Sequence, residues 1–82
     1  MSRRTVLITG ASAGIGAALA RVYASHGWDL VLTARREPAL RALAEELAAH
    51  SATSHVIPLD LAEPGAPDRL FQETQARGLT ID

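Results

Sequence analysis

Three short apolar runs, Val6-Leu7-Ile8, Leu30-Val31-Leu32 and the segment from Val56 to Leu59, alternate with stretches of helical periodicity, and this alternation sets the fold class. The first two runs are apolar on successive positions instead of every second one. Such strands are buried on both faces, as in the interior of a parallel sheet. The expected strands are Arg4 to Thr9, Asp29 to Ala34 and Val56 to Leu59, with Pro58 favouring a strand end or an edge. Between them, Ile15, Ala18, Leu19 and Val22 recur at helical spacing from about Gly14 to His26, and Gly27 supplies a stop. A second helix follows Pro38, with Leu40, Leu43, Ala44 and Leu47 on one stripe. A third runs from about Asp68 to Arg77 with Leu70 and Phe71 inward, and Leu79 to Asp82 reads as the start of a fourth strand. Strand–helix alternation with short connections forces βαβ units, right-handed crossovers and a parallel sheet. The expectation is a Rossmann-type α/β layer of about three strands plus the start of a fourth.

Composition removes several function classes. The formal net charge of −1 offers no basic excess to follow a phosphate backbone, so nucleic-acid binding has no electrostatic footing. All eight basic residues are arginine, so no chemistry that needs a lysine is open to these residues. No cysteine is present, which excludes disulfides, zinc thiolates and thiol nucleophiles and fits a reducing cytoplasm. The apolar run after Arg3 and Arg4 stops at Thr9-Gly10, too short for a signal-peptide core or a membrane span. His26, His50 and His55 have no metal-ligand spacing, and no metal site is expected.

The chemistry lies in Thr9-Gly10-Ala11-Ser12-Ala13-Gly14-Ile15-Gly16, between the first strand and the first helix. The first turn of a helix carries N–H groups with no intrahelical partner, and the helix dipole adds positive potential there. Glycines allow a sharp turn and let an anion approach with no Cβ in the way. A pyrophosphate is therefore the expected occupant. The competing reading gives Gly10, Gly14 and Gly16 only a turn and close helix–strand packing. No Gly-Lys-Ser/Thr follows, which argues against a nucleoside-triphosphate loop.

Residues 9–16, read as Thr-Gly-x-x-x-Gly-x-Gly, resemble the cofactor fingerprint of the short-chain dehydrogenase/reductase family, and the similarity continues through residues 29–36 and Leu59-Asp60-Leu61. The resemblance implies that Gly10 and Ile15 approach the phosphates through their backbone. It also implies that Ser12 and Ala13 line the adenosine side of the loop, that Gly14 and Gly16 complete the cradle, and that Thr9 braces the turn. Asp60 and Leu61 would meet the adenine, Asp60 through its amino group; a turn or capping role is the alternative for Asp60.

Dinucleotide folds selecting NAD place an acid near the end of the second strand, about 20 residues past the glycines, against the ribose hydroxyls. Here Ala34 stands at that place, followed by Arg35 and Arg36. Loss of the acid and gain of a guanidinium suit a 2′-phosphate, so NADP(H) is expected over NAD(H), with Arg35 the main determinant and Arg36 a lesser one. Solvated arginines at a helix start are the competing reading.

The family's reaction exchanges hydride between nicotinamide and a carbonyl or alcohol carbon, using a tyrosine, a lysine four positions later, and a serine. Tyr23 is followed four positions on by Gly27 and reads as a packing residue. By resemblance, the catalytic groups lie beyond residue 82, so residues 1–82 are expected to be the N-terminal part of one NAD(P)-binding domain with its catalytic part absent. The parent is then an oxidoreductase, cytoplasmic and homo-oligomeric, acting on a small carbonyl or alcohol, while these 82 residues are inactive alone. A non-catalytic nucleotide-binding or regulatory module is the alternative. The first strand would pair with a fourth on its outer side, so without one it presents a bare apolar edge that favours weak folding or association.

Overall fold

The computed structural model describes residues 3–82. The elements run β1 (Thr5–Thr9), α1 (Gly14–Ser25), β2 (Asp29–Ala34), α2 (Glu37–Leu47), a 3₁₀ turn (Ala48–His50), β3 (Ser54–Pro58) and α3 (Ala66–Ala76). The strands form one parallel sheet in the order β1-β2-β3, with Thr5 opposite Asp29 and Leu30 opposite Ser54 at the start of each ladder. The α/β layer of βαβ units is therefore as the alternation predicts.

The core divides across the sheet according to strand parity. Leu30 and Leu32 face α1 and α2, where they meet Ala17, Ala20, Ala24, Leu40, Leu43 and Leu47. Val31 faces the opposite layer with Ile57 and Leu70 of α3. The central strand is β2, whose residues Leu30 to Thr33 have no solvent exposure. On β1, at the sheet edge, only Ile8 is buried.

Several sequence-based expectations need correction. In α1 the predicted stripe points outward: Ile15 is 81% exposed, Leu19 46% and Val22 52%. The face that meets the sheet is instead Ala17, Ala20 and Ala24. The helix lies so close to the strands that only methyl groups fit, and the larger side chains are displaced to the flank. With Tyr23 and Val6 to Thr9, Ile15 and Leu19 border a groove of about 430 Å³ beside β1.

In α3, Leu70 is buried but Phe71 is 64% exposed. Consecutive helical residues project about 100° apart, and the narrow contact face is taken by Ala66, Leu70 and Thr74 at four-residue spacing. The helix begins at Ala66, not Asp68, because Pro67 sits in its first turn, where a missing N–H costs nothing. Strand β3 begins earlier than its apolar run, at Ser54, since ladder pairing with Leu30 does not depend on side-chain polarity. Pro58 is its last residue, on an edge strand.

Leu79 to Asp82 form no strand. Asp82 is nonetheless fixed to the outer side of β1: its N–H donates to the Thr5 carbonyl at 2.9 Å, and its carboxylate accepts from the Thr5 N–H at 2.9 Å.

The first two helices are tied by Arg21 of α1, which donates through two nitrogens to the Glu46 carboxylate of α2. That hydrogen bond, together with the positive charge, holds the Glu46 carboxyl below the usual carboxylate range and the Arg21 guanidinium above its ordinary value. A carboxylate whose folded-state pKa is depressed stabilises the fold above its unfolded pKa of about 4.3 and loses that contribution as pH falls through the folded value. Glu46→Gln should therefore lower the melting temperature slightly at pH 7, and the two melting curves should converge below about pH 4, when followed by circular dichroism across pH.

Candidate dinucleotide site at the carboxyl ends of the strands

The β1–α1 loop is shaped by its glycines for two separate reasons. Gly10 and Gly14 have φ of +62° and +61°, backbone conformations that side chains rarely adopt. Gly16 has ordinary helical geometry but no room: a Cβ there would fall 2.9 Å from the Gly10 carbonyl carbon and closer still to its oxygen. The loop is also anchored from below, since the buried Ala11 donates its N–H to the Thr33 carbonyl at the end of β2 at 3.2 Å.

At the start of α1, Ala13 is the N-cap and offers no side-chain hydrogen bond, and no acid lies in the first turn. The first N–H that returns to the preceding turn is that of Ala17, to the Ala13 carbonyl. The amides of Gly14, Ile15 and Gly16 are thus left as donors without a capping side chain, at the positive end of the helix.

Beside this loop is a cleft of about 310 Å³. Of the nine predicted site residues, Gly10, Ser12, Arg35, Asp60 and Leu61 line it together, drawn from the ends of three strands. Ala13, Gly14, Ile15 and Gly16 are not on its wall; they form the cap and first turn of α1, and Ile15 and Gly16 border the apolar groove on the β1 side. Arg36 joins Arg35 on the cleft wall. Sequence reasoning missed Thr33, Leu59 and Ala62, which also line it. Their only signal is position, at or just beyond a strand end. Thr33 is fully buried, and its hydroxyl has no hydrogen-bond partner in the protein.

Asp60 organises the loop after β3. Its carboxylate accepts from the Ala62 N–H at 2.9 Å, and its carbonyl accepts from the Glu63 N–H at 3.0 Å. The turn role weighed against adenine contact is therefore present, and it holds Asp60 and Leu61 against the cleft.

The arginines are distributed unevenly. Arg3, Arg21, Arg41, Arg69 and Arg77 are each ion-paired to a carboxylate, and Arg4 lies 5.7 Å over the Trp28 ring. Trp28 in turn packs edge-on against Tyr23 at 5.0 Å, the packing role expected of Tyr23. Among the described residues, Arg35 and Arg36 alone have neither an acidic nor an aromatic partner, and both line the cleft. No cluster of three or more metal-ligating side chains occurs among the described residues, and no helix there is long and apolar enough to cross a membrane.

The geometry can be tested at the close contact. Gly16→Ala should drive the helix start away from Gly10 and cost about 1–3 kcal/mol, whereas a Cβ at the exposed Gly27 meets no neighbour and is strained only by its φ of +85°. Urea denaturation of both alanine variants should show Gly16→Ala with the larger loss.

Known proteins agree with this arrangement. The sequence profile described as short chain dehydrogenase matches residues 4–82. The chain is 44% identical over 73 residues to the hydroxysteroid 11-beta-dehydrogenase 1-like protein of Gallus gallus, covering 88% of this chain and 25% of that protein. Its fold superimposes on a short-chain dehydrogenase from Sphingobium yanoikuyae in complex with NADPH with a TM-score of 0.80 at 41% identity, covering 85% of this chain and 28% of that one. An alcohol dehydrogenase from the archaeon Thermococcus sibiricus, complexed with 5-hydroxy-NADP, matches with a TM-score of 0.91 at 30% identity, covering 99% and 35%. The chain thus spans about a quarter to a third of these relatives. With the glycine loop, the parallel sheet and the matched length in agreement, the chain belongs to the short-chain dehydrogenase/reductase family.

Proposed function

We propose that this chain is the NADP(H)-binding N-terminal part of an oxidoreductase domain, and that it holds the adenosine-2′-phosphate and pyrophosphate end of the cofactor. The observation that carries the proposal is the pair of unpartnered guanidiniums, Arg35 and Arg36, on the same cleft as Gly10. A 2′-phosphate carries the charge that these two groups lack a partner for, and Arg can offer it two parallel donors. No carboxylate stands at Ala34, where one would repel that phosphate.

Each residue then has a physical role. The uncapped amides of Gly14, Ile15 and Gly16 face the pyrophosphate, and Gly10 gives it room to approach the backbone. Ser12 and Ala13 flank the adenosine ribose. Arg35 meets the 2′-phosphate and covers one face of the adenine, with Arg36 adding charge. Leu61 lies against the ring, and the Asp60 carboxylate oxygen not engaged by Ala62 accepts from the adenine amino group. When bound, the cofactor supplies hydride exchange with a carbonyl or alcohol carbon. These residues bind and orient; they include no lysine and place Tyr23 away from the cleft, so they do not themselves move the proton. The parent protein is read as a cytoplasmic homo-oligomer acting on a small carbonyl or alcohol. Relatives described as NADPH- or NADP-complexed support the cofactor class.

Calorimetric titration with NADP and with NAD should show tighter binding of NADP, and Arg35→Asp should reverse or abolish the preference by removing one to two charge-assisted hydrogen bonds, about 1.5–3 kcal/mol each. Equal binding of the two cofactors, unaffected by the substitution, would overturn the assignment. Incubated with NADPH and a panel of ketones, the 82-residue chain should consume no cofactor; absorbance loss above the uncatalysed rate would contradict its role as a binding part only.

A further inference from the structure

Arg35 is a wall shared by two clefts. With Leu59 and Asp60 it lines both the 310 Å³ cleft described above and a neighbouring one of about 380 Å³, whose other walls are Pro58, Glu63 and Arg69. The second cleft therefore brings two carboxylates, Asp60 and Glu63, beside the guanidinium on which the proposed phosphate recognition rests. Either could capture it. An arginine held by an internal carboxylate must break that pair before it can meet a phosphate, and NADP affinity would fall accordingly.

Neither carboxylate is paired with Arg35 among the described residues. Asp60 is held in the turn by one carboxylate oxygen, which accepts from the Ala62 N–H at 2.9 Å. Glu63 is engaged by Arg69 from the first turn of α3, with the guanidinium nitrogen 3.4 Å from its carboxylate. Arg35 is left without an acidic partner among the described residues. We infer that Arg69 is a positioning residue for cofactor selection: by occupying Glu63 it keeps that carboxylate from sequestering Arg35, and so holds Arg35 available to the 2′-phosphate. The inference rests on the cofactor reading above and deepens it. Arg69 and Glu63 lie off the wall of the 310 Å³ cleft and act through Arg35.

The ion pair is exposed, with side chains 57% and 61% accessible. Exposed pairs of this kind shift equilibria by a factor of about two to five at most. That sets the size of the expected effect. It also demands an experiment that separates capture of Arg35 from the general field of an added or removed charge. A pure field effect makes substitutions additive, whereas capture makes Glu63 silent while Arg69 is present and harmful once it is gone.

The test is a double-substitution cycle on the 82-residue chain, read as the ratio of NADP to NAD affinity by calorimetry at low salt. Arg69→Gln should lower the ratio about two- to fivefold. Glu63→Gln alone should leave it nearly unchanged, and the double variant should return it to the wild-type value. Arg69→Lys, which keeps the charge opposite Glu63, should behave as wild type. Both positions are exposed, so far-ultraviolet circular dichroism should be the same for all five proteins. If Arg69→Gln leaves the ratio unchanged, or if the Glu63→Gln effect is the same with and without Arg69, the positioning role is overturned. If the wild-type chain shows no preference for NADP, or Arg35→Asp does not alter it, the cofactor reading itself fails and this inference falls with it. A preserved preference with an additive cycle sinks the inference alone.

Discussion

The contact between Gly16 and the Gly10 carbonyl governs the geometry of everything above it. Because no Cβ intervenes, the first turn of α1 sits directly against the loop that leaves β1. That closeness then dictates which helix face meets the sheet. Ala17, Ala20 and Ala24 follow Gly16 on the inner side, and their methyl groups keep the helix low along its whole length. Leu19 and Val22 cannot be accommodated beneath the helix; both are exposed, Leu19 on the flank beside β1. The same approach brings the uncapped amides of Gly14 to Gly16 to the carboxyl end of the sheet. A tight turn and an anion-receptive helix end are thus one feature seen from two sides.

The two ends of the sheet differ in how their charges are satisfied. At the amino ends of the strands, Arg3 donates to the Gly27 and Ser51 carbonyls and pairs with Asp29, whose carboxylate also accepts from the Thr53 N–H. These bonds stitch β1, β2 and the approach to β3 together, and they leave the charges there matched. At the carboxyl ends the start of α1 has no side-chain cap, and Arg35 and Arg36 have no acidic partner among the described residues. Open parallel sheets bind ligands outside the carboxyl ends of their strands, and here the unmatched charge is concentrated at that end. The ion-paired Arg3 lies at one end, and the unpartnered Arg35 and Arg36 at the other.

The alternation of apolar runs and helical periods was sufficient for element order, parallel pairing and the burial of Leu30 to Leu32, because a doubly buried strand leaves a plain hydrophobic signature. It failed where a helix face is chosen by closeness of approach instead of by hydrophobicity. The α1 stripe of Ile15, Leu19 and Val22 has the right period and lies outside, since periodicity identifies a helix but does not say which side is sterically admitted. Phe71 failed for a related reason: it adjoins the buried Leu70 in sequence and lies about 100° from it around α3. The candidate site was legible where its residues follow strand ends, as Gly10, Arg35 and Asp60 do. Thr33, Leu59 and Ala62 were not, because nothing in a threonine, a leucine or an alanine marks it as a wall; only the folding of three strand ends onto one cleft does so. The Arg69–Glu63 pair escaped for the same reason, joining a helix to a loop six residues away.

A cleft assembled in this way links binding to folding. Its walls come from the β1–α1 loop, the end of β2 and the turn after β3, so they exist together only when the sheet has formed. A ligand that recognises the assembled walls and not the unfolded chain stabilises the fold by mass action, about 2.7 kcal/mol at a concentration one hundred times its dissociation constant. For 82 residues on their own, which bury only about 60% of their unfolded surface, that is a large fraction of the stability available. The groove along β1, with Asp82 bonded at its Thr5 end, exposes apolar side chains of β1 and α1 among the described residues. A ligand held at the carboxyl ends of the strands would therefore do more than fill the cleft. It would add that stability from the opposite end of the sheet to the Thr5–Asp82 contact.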